Sequence, residues 1–166
     1  GGRAAPAPHR GGRGGRDRNI VSRSAAAPLY SPAMLSLAIE LADYPLDTDA
    51  GTTSQLRSRT CGSTILLGVS TDENRRIASL GLRVTACAVG QAAAAIFASA
   101  AIGRDEAGIA KARSEISAWL AGEGERPDWP RLDMLDPVLD HPGRHEAVLL
   151  PWKAAEAALS NPVDAR

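Results

Sequence analysis

Apolar positions along the chain change period twice. After Pro28, Met34, Leu35, Ala38, Ile39, Leu41 and Ala42 recur at steps of three and four. They predict an amphipathic helix with those residues on one face, Ser31 as its cap, Pro32 at its first position and Pro45 beyond its end. Residues 43–53 are polar and read as loop. The period then falls to two. Strands are predicted over 54–60, over 64–70 with Ile65, Leu67 and Val69 on one side, and over 77–85 with Leu80, Leu82 and Val84 on one side. Asp72, Glu73 and Asn74 mark a tight turn between the last two, which favours antiparallel pairing. Beyond Cys87 the helical period returns. An alanine-rich helix over 89–102 stops at Gly103. A second is capped by Asp105, carries Ile109, Ala112, Ile116, Trp119 and Leu120, and ends at Gly122. A Gly/Pro loop, a short helix over 132–139 and a final helix over 144–159 follow. Strands first and helices afterwards predict an α+β fold: a three-stranded antiparallel sheet packed on one face by helices, with a helical C-terminal half.

Composition adds limits. At 166 residues the chain is one domain, and 44% hydrophobic content supports a core. Aromatics are only 4%, so packing must rest on small and aliphatic side chains. Residues 1–28 hold six arginines against the single Asp17, with Ile20 and Val21 as their only large aliphatics. That segment is expected to be a disordered tail, because it buries too little to offset its ordering entropy. Its RGGRGGR run, Arg10 to Arg16, lacks the interleaved aromatics of RNA-binding segments. The domain proper is expected over 29–160, with 161–166 a short C-terminal tail. Lys+Arg and Asp+Glu balance at 19 each, so the domain is mildly acidic and no nucleic-acid partner is expected. No apolar run is long enough to span a bilayer and no secretory core is visible, so the cytoplasm is the expected compartment.

Candidate chemistry centres on Cys61 and Cys87. The hairpin reading puts both at one end of the sheet, Cys61 at a turn and Cys87 at the start of the alanine-rich helix, where free N–H groups favour a thiolate. The plain alternative is that each is a small buried hydrophobe. Phosphate-binding loops and the G-x-S-x-G elbow are absent, and no base is implied for Ser63, so no enzyme activity is expected. Asp133, Asp136 and Asp140 read as a solvated face, and Trp119, Trp129 and Trp152 as packing residues.

Three motifs carry a resemblance. Thr60-Cys61-Gly62-Ser63, then Ala86-Cys87, then Arg144-His145-Glu146-Ala147 with Pro151-Trp152-Lys153-Ala154 resemble the U-type iron–sulfur cluster assembly scaffolds, the IscU, NifU N-terminal and SufU proteins. The likeness spans residues 28–160 and is nearer to SufU, because of the extra segment at 123–140; Tyr30 matches the start of the first helix. The resemblance implies a site of three cysteines and one aspartate. Carried over, two fall on Cys61 and Cys87, the aspartate on Ser63, and the third cysteine on Ala147, five residues before Trp152.

The resemblance thus implies a scaffold that binds iron or a cluster transiently, receives sulfur from a cysteine desulfurase and serves apo iron–sulfur proteins. A cluster or a zinc ion needs four ligands, and this chain offers two thiolates. Ser63, His145 and Glu146 are the candidates to complete the set, with His141 in the preceding loop. A Cys₂ set with Glu or His can hold zinc or iron, but with less affinity and selectivity. The plainer expectation for His145 and Glu146 is a solvated first helical turn whose carboxylate suits the dipole. Two alternatives follow from the lost ligands: a metal-free partner or regulator of a desulfurase, and a dithiol or persulfide carrier.

Overall fold

Ile65, Leu67 and Val69 form the inward row of the middle strand and decide the architecture. A computed structural model describes residue 29, residues 31–47, residue 49 and residues 51–160. The expectations for residues 1–28, Tyr30 and residues 161–166 lie outside the described residues. The order is α1 (Pro32–Glu40) with a 3-10 turn at Leu41–Asp43, β1 (Thr52–Arg57), β2 (Thr64–Thr71), β3 (Ile77–Thr85), α2 (Ala88–Ala101), α3 (Glu106–Leu120), 3-10 segments at Leu132–Asp140 and Pro142–Arg144, and α4 (His145–Ser160). The sheet is antiparallel in the order β1-β2-β3. Cross-strand partners are Ile65 with Val84, Leu67 with Leu82 and Val69 with Leu80, so the predicted inward rows are the observed ones.

Among the described residues, helices pack on that inward face. α4 packs on β1 and β2, and α2 on β3. The Ser54 hydroxyl donates to the Ala154 carbonyl at 2.7 Å, tying β1 to α4. α2 is apolar except at Gln91 and Ser99 and is buried from Ala92 to Ala98. Its alanines let α1 and α4 pack against it from different sides. The few large rings gather in one place: Phe97 stacks on Trp129 with centroids 5.8 Å apart, and Trp152 meets both edge-on. Packing is thus the role of Trp129 and Trp152, as their scatter suggested.

Three expectations need correction. In α1 the buried side chains are Met34 and Leu37, while Leu35 and Ile39 are 48% and 75% exposed. α1 lies outside α2 and meets it along one narrow stripe, and the sequence carries apolar residues on both sides of that stripe. The first strand runs 52–57 rather than 54–60, because Ser58 leaves the ladder to close a turn, its N–H donating to the Ser63 carbonyl at 2.7 Å. The segment at 132–140 is 3-10 rather than α-helical, with Pro137, which has no N–H to give, inside it. The Ser31 cap holds as predicted, accepting from the Met34 N–H at 3.1 Å. Among the described residues no helix is long and apolar enough to cross a membrane.

The outer face of the sheet is crossed by the chain running from α1 to β1. Leu82 N–H donates to the Tyr44 carbonyl at 2.9 Å, and Pro45 and Leu46 then pass directly over Gly81. A Cβ on Gly81 would lie 2.1 Å from the Pro45 oxygen. Gly81→Ala is expected to destabilise the fold by about 1–3 kcal/mol, the usual cost of overpacking against backbone. Urea unfolding measures it; an unchanged midpoint would show that this crossing does not fix the α1–β1 connection.

Candidate functional site

Sheet register sets the site. Arg57 at the end of β1 pairs with Thr64 at the start of β2, and Thr64 pairs with Thr85 at the end of β3. The β1–β2 turn and the passage from β3 into α2 are therefore neighbours at one end of the sheet. Cys61 lies in the turn, and Cys87 is the N-cap residue of α2 in extended conformation. Both are half-buried and free of disulfide.

One carboxylate organises the turn. Glu146 Oε1, from the first turn of α4, accepts from Ser58 Oγ at 2.9 Å, Arg59 N at 2.9 Å, Thr60 N at 3.1 Å and Thr60 Oγ1 at 3.3 Å. The Ser58 hydroxyl leads in holding the Glu146 carboxyl below the usual carboxylate range; burial opposes, and the Thr60 and Arg59 amides and the Thr60 hydroxyl add to the lowering. The expectation of a solvated Glu146 is thus replaced by a clamp across 88 residues of chain, from Ser58 to Glu146. His145 is not a bare surface residue either. Its Nε2 is 2.9 Å from the Val138 carbonyl, which can only accept, so that nitrogen carries the proton and is closed to a metal. His141 forms the junction between the two 3-10 segments.

Cys61 Sγ is 3.1 Å from Ser63 Oγ and 3.4 Å from Ser58 Oγ. Burial by itself pushes this thiol up. The Ser58 and Ser63 hydroxyls, the Ser63 backbone and the Thr60 hydroxyl outweigh it, and the Cys61 thiol titrates below the ordinary range. Ser58 has a single hydroxyl proton for two anions. When Cys61 ionises, that proton can turn to sulfur, because Glu146 keeps three other donors. Sequence reasoning missed Ser58 and Thr60 as functional residues. Their signal was in plain view: the run Ser58-Arg59-Thr60-Cys61-Gly62-Ser63 surrounds the cysteine with hydroxyls.

The two remaining positions converge here as well. A Cβ on Gly90, in the first turn of α2, would lie 3.6 Å from Ala147 Cβ and 3.9 Å from Ser63 Oγ. Ala147 is 0% and Ser63 3% exposed. α4 and the cysteine turn thus meet the first turn of α2 at ordinary contact distance, and the position implied for a third cysteine holds a methyl group there. A resident zinc ion or cluster with four protein ligands does not fit this donor set: the Ser63 hydroxyl bonds Cys61 and Ala147 has no donor, so the two thiolates lack two of the four ligands. Among the described residues no three His, Cys, Asp or Glu side chains form a group able to hold a metal.

Solved structures share this arrangement of chain. A nitrogen-fixing NifU-like protein (N-terminal) from Brucella abortus superposes with TM-score 0.72 at 23% identity, covering 79% of this chain and 92% of its own. The fold is that of the U-type scaffolds. A protein described as an iron–sulfur cluster assembly scaffold for the SUF system, from Fervidobacterium islandicum AW-1, gives TM-score 0.68 at 20% identity over 78% of this chain and 96% of its own. A hypothetical protein gives 0.59 at 20% identity over 78% and 98%. No protein-family model matches the chain, and no curated protein matches it. The U-type fold is therefore present with half of its expected ligand positions occupied by a hydroxyl and a methyl.

Glu146→Ala is expected to cost about 1–3 kcal/mol at neutral pH, since it leaves the buried Ser58 hydroxyl without its acceptor. The folded carboxyl titrates below its unfolded value, so its contribution is whole above the ordinary carboxylate range. It is lost as pH falls through the lowered folded value. Urea unfolding of wild type and variant should therefore converge in acid; a gap independent of pH would contradict the clamp.

Proposed function

We propose that this protein serves iron–sulfur cluster assembly as a U-type scaffold-fold carrier whose working group is the Cys61 thiolate. The observation that carries the reading is the pair of hydroxyls on Cys61 Sγ, Ser63 Oγ at 3.1 Å and Ser58 Oγ at 3.4 Å: the thiol donates to Ser58, and once it has lost its proton both hydroxyls can turn to donate to the sulfur anion without a metal. The proteins that share the fold, described as NifU-like and as a SUF-system scaffold, supply the context.

The chemistry is sulfur transfer. The Cys61 thiolate attacks the outer sulfur of a persulfide on a donor cysteine, R–S–S⁻, forming a new S–S bond as the old one breaks. Cys61 becomes the persulfide and R–S⁻ leaves, with no net oxidation and no proton required. The donor implied is a cysteine desulfurase, and the recipients are apo iron–sulfur proteins. Iron or a nascent cluster is cargo in this reading. Cys61 and Cys87 supply two bonds to it, so a partner must furnish the others. The protein positions and carries; it does not act as a catalyst.

Incubation with a cysteine desulfurase and cysteine under anaerobic conditions should add the mass of one sulfur atom to Cys61, as read by mass spectrometry of peptides. Cys61→Ser should abolish this addition, and Cys87→Ser should leave it on Cys61. A protein that binds the desulfurase yet acquires no sulfur would instead be a docking regulator that has kept the fold and lost the transfer.

A further inference from the structure

The end of the sheet that carries Cys61 is edged by arginines that no mechanism above uses. Residues 53, 55 and 57 of β1 point to the face away from the helices, as do 64, 66 and 68 of β2 and 81, 83 and 85 of β3. The row is fixed by Gly68 and Gly81, which lie under the crossing chain, and by the inward Ser54. Arg57 and Arg83 therefore stand on this outer face, on the two edge strands. Both are exposed, and Arg59 is exposed in the cysteine turn itself. The Arg57 guanidinium folds back over the turn: a Cβ on Gly62, the residue after Cys61, would lie 3.8 Å from its Nη2. Among the described residues, the ion pairs are Lys111–Glu115, Arg113–Glu156, Arg126–Asp136 and Arg131–Glu40, so these three arginines enter none. No strand residue on the outer face from Thr53 to Arg57, Thr64 to Ser70 or Gly81 to Thr85 is acidic. The one nearby carboxylate whose contacts reach the turn, Glu146, spends its Oε1 on the turn's own donors. Glu146 keeps its charge there, since all its donors are neutral, and the crossing chain brings Asp47 over Gly68, further from the cysteine turn; at the cysteine end itself the three arginines outnumber the one carboxylate.

We infer that Arg57, Arg59 and Arg83 form an electropositive entrance that selects an anionic sulfur donor, namely an acidic surface around the donor cysteine of the protein that delivers sulfur to Cys61. Two reasons favour this occupant. The attacking and arriving groups, thiolate and persulfide, are both negative, so their approach is opposed unless cations stand between them. Exposed arginines within roughly one Debye length of about 8–10 Å act on approach rates even without direct contact, and the guanidinium fork binds carboxylates in pairs of hydrogen bonds. This inference rests on the reading of Cys61 as sulfur acceptor, and the test separates the two.

The test uses the full chain carrying Cys87→Ser, so that only Cys61 reacts. Its rate of thiol–disulfide exchange is measured with an anionic probe, 5,5′-dithiobis(2-nitrobenzoate), and a cationic one, cystamine, across a range of ionic strength. The ratio of the two rates at low salt is expected to fall several-fold when salt is raised. It should fall likewise in Arg57→Glu/Arg83→Glu at low salt, with circular dichroism confirming that this variant is folded. Arg57→Lys/Arg83→Lys should keep the wild-type salt dependence. A ratio that neither salt nor charge reversal changes would overturn the inference. So would a response to salt that charge reversal leaves intact, since it would place the field elsewhere. Persulfidation of Cys61 by a desulfurase is scored separately. Sulfur arriving on Cys61 without charge selection sinks the entrance alone, whereas charge selection without sulfur arriving sinks the acceptor reading. Protection of Cys61 by single-stranded oligonucleotide at physiological salt, with none by an equally long polyglutamate peptide, would assign the arginines to nucleic acid and overturn the proposal.

Discussion

The bond between Glu146 and the Ser58–Thr60 turn is the constraint on which the site depends. It joins the start of α4 to the exit of β1, and so fixes the last helix against the end of the sheet where both cysteines lie. A buried hydroxyl and two amides satisfied by one carboxylate make a stiff junction, because each donor left unpaired would cost desolvation energy. In a four-ligand metal site the ion itself would tie these same elements together. Here a hydrogen-bond network around Glu146 does so, and Ala147 is buried where α4 meets the start of α2. In the proposed function Cys61 then has no structural duty and serves as a nucleophile among hydroxyls.

Much of the fold was legible because its signals are local. Alternation at Ile65, Leu67, Val69 and at Leu80, Leu82, Val84 named the inward rows, and Ser31 and Asp105 named two helix starts. What failed was α1's face. Leu35 and Ile39 repeat at helical spacing just as Met34 and Leu37 do, and only the position of α2 decides which side is covered. The 3-10 segment failed for a related reason: its apolar spacing suits an α-helix and takes no account of Pro137.

The site was half legible. The cysteines could be placed at one sheet end from the hairpin pattern, since register follows from the turns. The roles of Glu146 and His145 could not. Their partners, Ser58 and Val138, are set by how α4 docks, and periodicity along one helix says nothing of that docking. A carboxylate at a first helical turn has a sufficient local explanation in the helix dipole, which hides its long-range one.

The most direct measurement is the pH dependence of Cys61 alkylation by iodoacetamide in the Cys87→Ser chain, with a zinc chelator present throughout. A hydroxyl-stabilised, metal-free thiolate requires the rate to rise at lower pH than for an ordinary cysteine, and Ser63→Ala to move that rise back toward the ordinary range. A profile at or above the ordinary cysteine range, or one that appears only when the chelator is withheld, would contradict the account.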